Sequence, residues 1–530
     1  MIVLFLRKVT IGGKQYIRLV ENYREDGKVK QRFLATLGRV DQISKQQALN
    51  MIEKLRAWYD VDDVVNMSNV ESTVIKNYGA KLVVDKLFEE YELDEYLSKV
   101  DKKVRYDLES MIKLMVMNRL LEPKSKLGIY NELDYYGIED VELHQIYRSL
   151  DILAQKKEEI EKYMYNKRLN LFNSSIDLVF YDVTTLSFES QQVNGLMNYG
   201  YSKDKKFNET QVVLGMSVDR DRFPVSFNIY EGNKFEGHTM KDAIEEMKSK
   251  YNLSKVIVVA DRGMLSEENI EAIEESGYDY IVGRSIKKLS EDVDIFKLGY
   301  KEIATGIEVA ETEYKGKRLI VVRSDERARK DFEGRQRQIE KAKKMIKNHT
   351  VDATTKRGAM KYVKEEHAEK STYELNIEKI EEDARYDGYY GIITNTQEQA
   401  RRIIEEYHSL WEVEESFRTL KGFLKARPIY HWTVRRITGH MVMVFISYVL
   451  LKTMEKKLKR SGIEYTHEKI RESLRKMEYA EMKIEGKRLE IRTNLNEYQR
   501  KMLKALGIEE PKKVRIIEVN EEESVEKCDE

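Results

Sequence analysis

The sequence predicts a mixed α/β protein, with a mixed sheet flanked by helices at its centre. Three observations predict it. Short runs rich in β-branched and aromatic residues follow one another at 177–188, 210–219 and 223–232. A helix–strand–helix–strand rhythm then occupies 238–283. After about a hundred residues of different texture, a strand-like pattern returns as YDGYYGIITN at 386–395.

The elements follow in order. Residues 1–43 alternate like strands, and KQYIRLVENYR and KVKQRFLATLG flank Asp26-Gly27, a hairpin signature. Lys and Arg decorate both arms. A basic ribbon can lie along a DNA groove, and on sequence alone a small edge sheet solvated by its charges reads slightly more naturally. Residues 44–172 show helical spacing in KLVVDKLFEEYELDEYLSKV, in DLESMIKLMVMNRLLEP, which Pro123 stops, and in QIYRSLDILAQKKEEIEKYMYNKRLNLF, read as one long helix. This block suits a DNA-binding or dimerisation domain, or a bundle with no ligand. Residues 173–285 and 387–455 form the α/β core, and 286–386 interrupt it with the strand-like YKGKRLIVVRSD and a basic helix, ERARKDFEGRQRQIEKAKKMIKNH. Residues 456–530 form a polar C-terminal region with an acidic tail, expected to be disordered.

Bulk properties narrow the class. A chain of 530 residues with zero net charge is long enough for several domains. Neutrality hides segregation: residues 1–60 carry twelve Lys and Arg against six Asp and Glu, and 315–370 carry eighteen against nine. Such patches suit a polyanion, or are ordinary solvated faces. The one cysteine, Cys528, excludes a disulfide framework and a cysteine zinc site. MIVLFL is too short for a signal peptide, and MVMVFISYVLL, 441–451, falls short of a membrane span and reads as a buried helix. No membrane association and a cytoplasmic location are therefore expected.

Three carboxylates carry the chemistry. Asp182 lies inside the apolar run DLVFYDVTTLSF, where a carboxylate is costly unless paired or metal-bound. Asp261 ends KVIVVADRG, where it also fits a turn or helix cap. The stretch YHSLWEVEESFRTLKGFLKARP, 407–428, reads as one amphipathic helix, and the helix expected over 397–425 carries Tyr407, Glu414 and Lys421 seven residues apart on one face. Glu412 and Glu415 flank Glu414, and the sequence does not choose among the three. Two Mg²⁺ ions about 3.5–4 Å apart, held by carboxylates on rigid elements, can flank one phosphate.

These residues resemble the DDE transposases of bacterial insertion sequences, in the branch whose last catalytic helix carries a Tyr-Arg-Glu-Lys signature. Tyr407, Glu414 and Lys421 keep the spacing, and Leu410 stands where the Arg belongs, as in a subgroup that has lost it. YDVTTLSF resembles the first-Asp strand, VVADRGMLSEENI the second-Asp motif, and YREDGKVKQRFLATLG the N-terminal ribbon of that subgroup. The resemblance implies a ribonuclease-H-like catalytic core interrupted by an inserted subdomain and preceded by a β-ribbon and a helical domain.

It also implies a function. Asp182, Asp261 and Glu414 would bind two Mg²⁺ ions, with Mn²⁺ able to substitute. DNA would be cut at transposon ends and the 3′-hydroxyl joined to target DNA. Tyr407 and Lys421 would contact DNA phosphates, with Arg418, Arg435, Arg436 and His431 as further candidates. The partners would be transposon-end double-stranded DNA, target DNA and a second copy of the chain, at the nucleoid when bound. A metal nuclease without strand transfer and a catalytically silent DNA-binding relative are the alternatives.

Overall fold

The computed structural model describes the chain except residues 1–2, 26–27, 60–69, 101–103, 173–177, 201–207, 235–238, 252–256, 261–266, 290–291, 353–354, 356, 368–371, 485–486 and 519–530. The chain forms two compact units, residues 1–74, 480–492 and 512–530, and residues 75–479 and 493–511.

In the first unit, β1 (Val3–Ile11), β2 (Lys14–Glu25) and β3 (Lys28–Arg39) make an antiparallel sheet in that order. Gly12 and Gly13 turn β1 into β2 with φ of +56° and +76°, a two-residue turn that needs left-handed backbone at both positions. The expected hairpin closes with Glu25 opposite Lys28. The helix α1 (Lys45–Tyr59) follows. A four-stranded sheet has the order β18 (Val514–Glu518), β17 (Lys487–Arg492), β16 (Glu478–Ile484), β4 (Val70–Asn77).

The second unit is built on a nine-stranded sheet. Its heart is β5 (Leu178–Ser187), β6 (Gln211–Asp219), β7 (Pro224–Glu231), β8 (Ile257–Ala260) and β9 (Asp279–Arg284), in spatial order β7-β6-β5-β8-β9. The first three form an antiparallel meander, whereas β8 and β9 run parallel to β5. Numbered within the core, this is the order 3-2-1-4-5 of a ribonuclease-H-like fold. The strands β5 and β6 are buried on both faces, which explains their near-continuous apolar runs. Alternation sends Leu178, Phe180 and Leu186 into one hydrophobic core and Val179, Tyr181 and Val183 into another. The helices α9 (Thr239–Tyr251) and α10 (Glu267–Glu275) cover the second face.

Beyond β9 the sheet continues through β15 (Tyr389–Thr394), β12 (Lys317–Ser324), β11 (Ile307–Tyr314) and β10 (Lys301–Ala304). The strands of the interruption thus extend the core sheet, with β12 antiparallel to β15. The basic helix is α12 (Asp325–Lys347), capped by Ser324. The short helix α11 (Ile286–Leu289), the hairpin of β13 (Val363–His367) and β14 (Thr372–Leu375), and α13 (Ile377–Ala384) complete this part.

The first core is closed by helices. These are α2 (Gly79–Tyr91), α3 (Leu93–Val100), α4 (Leu108–Leu121), α5 (Lys126–Tyr130), α6 (Leu133–Tyr136), α7 (Leu143–Gln155) and α8 (Lys157–Phe172). They share one apolar cluster with the sheet and with the later helices α14 (Ala400–His408), α15 (Trp411–Arg418), α16 (Val434–Arg460), α17 (His467–Arg475) and α18 (Glu497–Ala505). The run 145–172, expected as one helix, breaks at Lys156, and the 81–100 pattern breaks at Glu92, whose φ of +51° ends α2. The helix α16 is long and apolar enough to cross a membrane, but 94% of its most apolar window is buried inside this unit, so it is a core helix.

Candidate active site

Asp182 stands at the middle of β5, opposite Met216 of β6. It shares its face with Phe180 and Thr184, the face on which α15 packs through Val413 and Phe417. It is half-buried, and its carboxylate accepts the N–H of Val183 at 2.7 Å. The neighbouring parallel strand β8 pairs Val259 with Phe180 and ends at Ala260. Asp261 lies outside the described residues.

The helix expected over 397–425 is three pieces. The first, α14, ends at His408. Ser409 returns its hydroxyl to the carbonyl of Glu405 (3.0 Å), a bond that bends helices. The next bonds tighten to three-residue spacing, Leu410 to Tyr407 and Val413 to Leu410, both 3.2 Å. Then α15 begins, and Thr419–Phe423 continue it as one π turn. Leu410 packs against the apolar core.

This geometry sorts the three glutamates. Glu412 is ion-paired with Arg222. Glu415 pairs with Arg418 at 2.5 Å. Glu414 has no ion pair among the described residues, and with Asp182 it lines an open cleft of about 480 Å³. Lys421, on the π turn, together with Arg418 and Arg427, brings positive charge to the same cleft. Two hard oxygen donors beside three cations make a place for an anionic ligand and a hard cation together. No group of three or more His, Cys, Asp or Glu with metal-binding geometry occurs among the described residues.

Buried groups pin the segment that follows the π turn. Arg119 of α4 donates to the carbonyls of Leu424 (3.2 Å) and Lys425 (2.9 Å), and burial lowers its pKa to about 10. Arg471 of α17 bonds the carbonyl of Phe423 and lies 3.8 Å from the centre of its ring. His440 sits 3.2 Å from the carbonyl of Ala426. Nothing in the local pattern marks Arg119 or Arg471, because their partners are remote in sequence.

His431 is buried, edge-on to Tyr147 (6.0 Å) and 5.4 Å from His440 between ring centres, so it is not a surface contact for DNA. Burial, with Lys126, Arg119 and Arg436 nearby, pushes its pKa down to about 3. The native state therefore binds fewer protons than the unfolded chain between about pH 6.5 and 3. Stability present above pH 6.5 is lost as the pH falls through that window. Unfolding midpoints measured against pH will show this slope, and His431→Phe will flatten part of it.

The structure does not bring every expected residue to this cleft. Tyr407, on α14, lines a separate cleft of about 690 Å³ with Arg284, Arg327 and Tyr390. Its ring stacks on Tyr390 (centroids 6.1 Å, 21°), and its hydroxyl fills the space over Gly283. Arg435 donates to the carbonyl of Asp151 at 3.2 Å, and Arg436 lies 3.5 Å from the Asp151 carboxylate and over the Tyr147 ring at 5.0 Å. Both fasten the start of α16 to α7.

The arrangement is a ribonuclease-H-like sheet with one carboxylate on the central strand of its five-stranded heart and another on the covering helix. Residues 173–450 match the family described as a transposase DDE domain, more than half of the 530 residues, and the chain belongs to the DDE transposase family. Residues 6–57 match the N-terminal domain of IS1634 family transposases, the insertion-sequence kind. DNA cutting with a divalent metal is the chemistry of that family.

Among solved structures, the Mos1 transposase paired-end complex with its left transposon end shares 9% identity, over 34% of this chain and 59% of that one, with a TM-score of 0.15. An Argonaute from Marinitoga piezophila in complex with a 5′ OH guide RNA shares 9%, over 59% and 69%, with a TM-score of 0.14. Both likenesses are too slight to place residues. No curated protein matches the chain.

Proposed function

We propose that this chain cuts DNA at the ends of an insertion sequence and joins the freed 3′-hydroxyl to target DNA. In this reading Asp182, Asp261 and Glu414 hold two Mg²⁺ ions. The observation that carries it is the sorting of the α15 glutamates: Glu412 and Glu415 are engaged by arginines, and Glu414 faces the cleft of Asp182. Asp261 is joined by one peptide bond to Ala260, whose strand pairs with β5 through Val259 and Phe180.

The donor set fits the metal. Carboxylate oxygens on a strand and a helix are hard, rigidly mounted ligands of the kind Mg²⁺ takes, and Mn²⁺ accepts the same donors. Bound there, the ions would supply Lewis-acid polarisation of the phosphate and a nucleophile at neutral pH. Lys421, Arg427 and Arg418 would neutralise the flanking phosphates. Hydrolysis breaks a P–O3′ bond and leaves a 3′-hydroxyl. In joining, that hydroxyl displaces the 3′-oxygen of a target phosphodiester, so one bond forms as one breaks. The basic ribbon β1–β3 would add DNA contacts, and two transposon ends imply two copies of the chain.

The test supplies full-length protein with a labelled duplex carrying the element's terminal repeat, a target plasmid and Mg²⁺. Both nicked end and joined product are expected. Cleavage without joining would mean a nuclease, and binding without cleavage a silent relative; either overturns the reading.

A further inference from the structure

The turn from β6 to β7 is four charged residues in a row, Asp219-Arg220-Asp221-Arg222, and each is tied to a different helix. Asp219 pairs with Arg168 of α8 and organises the turn by accepting the N–H groups of Asp221 and Phe223, both at 2.9 Å. Arg220 reaches Glu406 of α14 at 2.5 Å. Asp221 takes Lys456 of α16 at 2.6 Å. Arg222 pairs with Glu412 of α15, and its guanidinium lies over the Trp411 ring, 4.5 Å from the centroid.

Arg222 is held in a conformation that suits another residue. Its φ is +65°, in the left-handed region, which L side chains adopt only at a cost. Glycine would be at ease there, so the arginine side chain must offset that cost by what it grips. It grips the first turn of α15, the turn that carries Glu414. The hairpin behind it is fixed: β6 is bonded along its length to β5, with Met216 opposite Asp182. Arg222 therefore joins the sheet side of the cleft to its helix side.

We infer that Arg222 is a positioning residue, which clamps Trp411 and Glu412 onto the β6–β7 turn and so sets where Glu414 meets the divalent cation shared with Asp182. The inference rests on the metal-ligand assignment of Glu414 proposed above. A planar guanidinium both stacks on an indole and pairs with a carboxylate, so lysine is an incomplete replacement.

The test uses full-length protein. Mn²⁺ binding without DNA is read by electron paramagnetic resonance, and the Mg²⁺ dependence of terminal-repeat cleavage is followed alongside. Arg222→Gly is compared with Arg222→Lys and Glu414→Gln. For Arg222→Gly the Mn²⁺ dissociation constant and the half-saturating Mg²⁺ are expected to rise about tenfold or more, the usual effect of losing a group that orients a ligand. Duplex affinity should stay within about twofold at this backbone-compatible position. Arg222→Lys should fall between. If the single variant loses stability, Arg222→Gly with Glu412→Gln removes the stranded carboxylate and reads the same effect.

Unchanged metal binding in both Arg222→Gly backgrounds, with Glu414→Gln impaired, overturns the positioning role alone. Unchanged binding in Glu414→Gln overturns the assignment of Glu414 and this inference with it.

Discussion

Asp182→Asn and Glu414→Gln are each expected to lower Mg²⁺-supported cleavage by at least about 1000-fold, near 4 kcal/mol of transition-state stabilisation, with duplex binding retained. Both substitutions preserve shape and remove the charge that would hold a cation. Glu414 makes no ion pair among the described residues, so its replacement strands no partner and leaves the unfolding midpoint in place. The other carboxylates nearby make the comparison informative. Glu405→Gln, at an exposed position of α14, breaks only a surface pair with Arg401 and leaves cleavage within about twofold. Glu412→Gln falls between, since Glu412 anchors the first turn of α15 through Arg222. Initial rates of nicking on one labelled duplex, with affinity and thermal melting measured alongside, give the ranking. Full activity in Asp182→Asn or Glu414→Gln contradicts the assignment.

Gly439→Ala has the largest expected effect on stability. A Cβ at 439 would stand 1.9 Å from the carbonyl oxygen of Leu150 and 2.6 Å from its carbon. Both are backbone atoms of α7, so no side-chain rotation relieves the clash. Either α16 or α7 must move, at a cost of about 3 kcal/mol or more. The helices in question close the core over the central sheet, so the loss would appear in the whole unit's unfolding. Gly334, inside α12, is the contrast: a Cβ there meets nothing within 4 Å. Gly334→Ala should stabilise by about 0.5–1 kcal/mol through helix propensity. Denaturant melts of the two variants should therefore move in opposite directions.

Legibility in the sequence followed the range of the forces involved. The five core strands end within a residue or two of their apolar runs, because a strand buried on both faces must be apolar throughout. The place of Asp182 on β5 was legible for the same reason, as the one carboxylate amid that run. Glu414 was a different case. Its spacing from Glu412 and Glu415 says nothing about which of them is engaged, and the partners that decide it, Arg222 and Arg418, include one nearly two hundred residues upstream. The kink at Ser409 and the π turn at Thr419–Phe423 were invisible, since apolar periodicity does not register a change from one hydrogen-bond spacing to the next. That change leaves Tyr407 in a different cleft from Lys421. The cations behind the site, Arg119 and Arg471, bond main-chain carbonyls far away in sequence, a contact that no local pattern encodes.

The most direct test is anomalous scattering from Mn²⁺ in a crystal of the full-length protein bound to its terminal-repeat duplex. The account predicts two peaks about 3.5–4 Å apart, ligated by the carboxylates of Asp182, Asp261 and Glu414 beside the scissile phosphate. Peaks bound elsewhere, with the Asp182–Glu414 cleft empty while DNA is engaged, would contradict it.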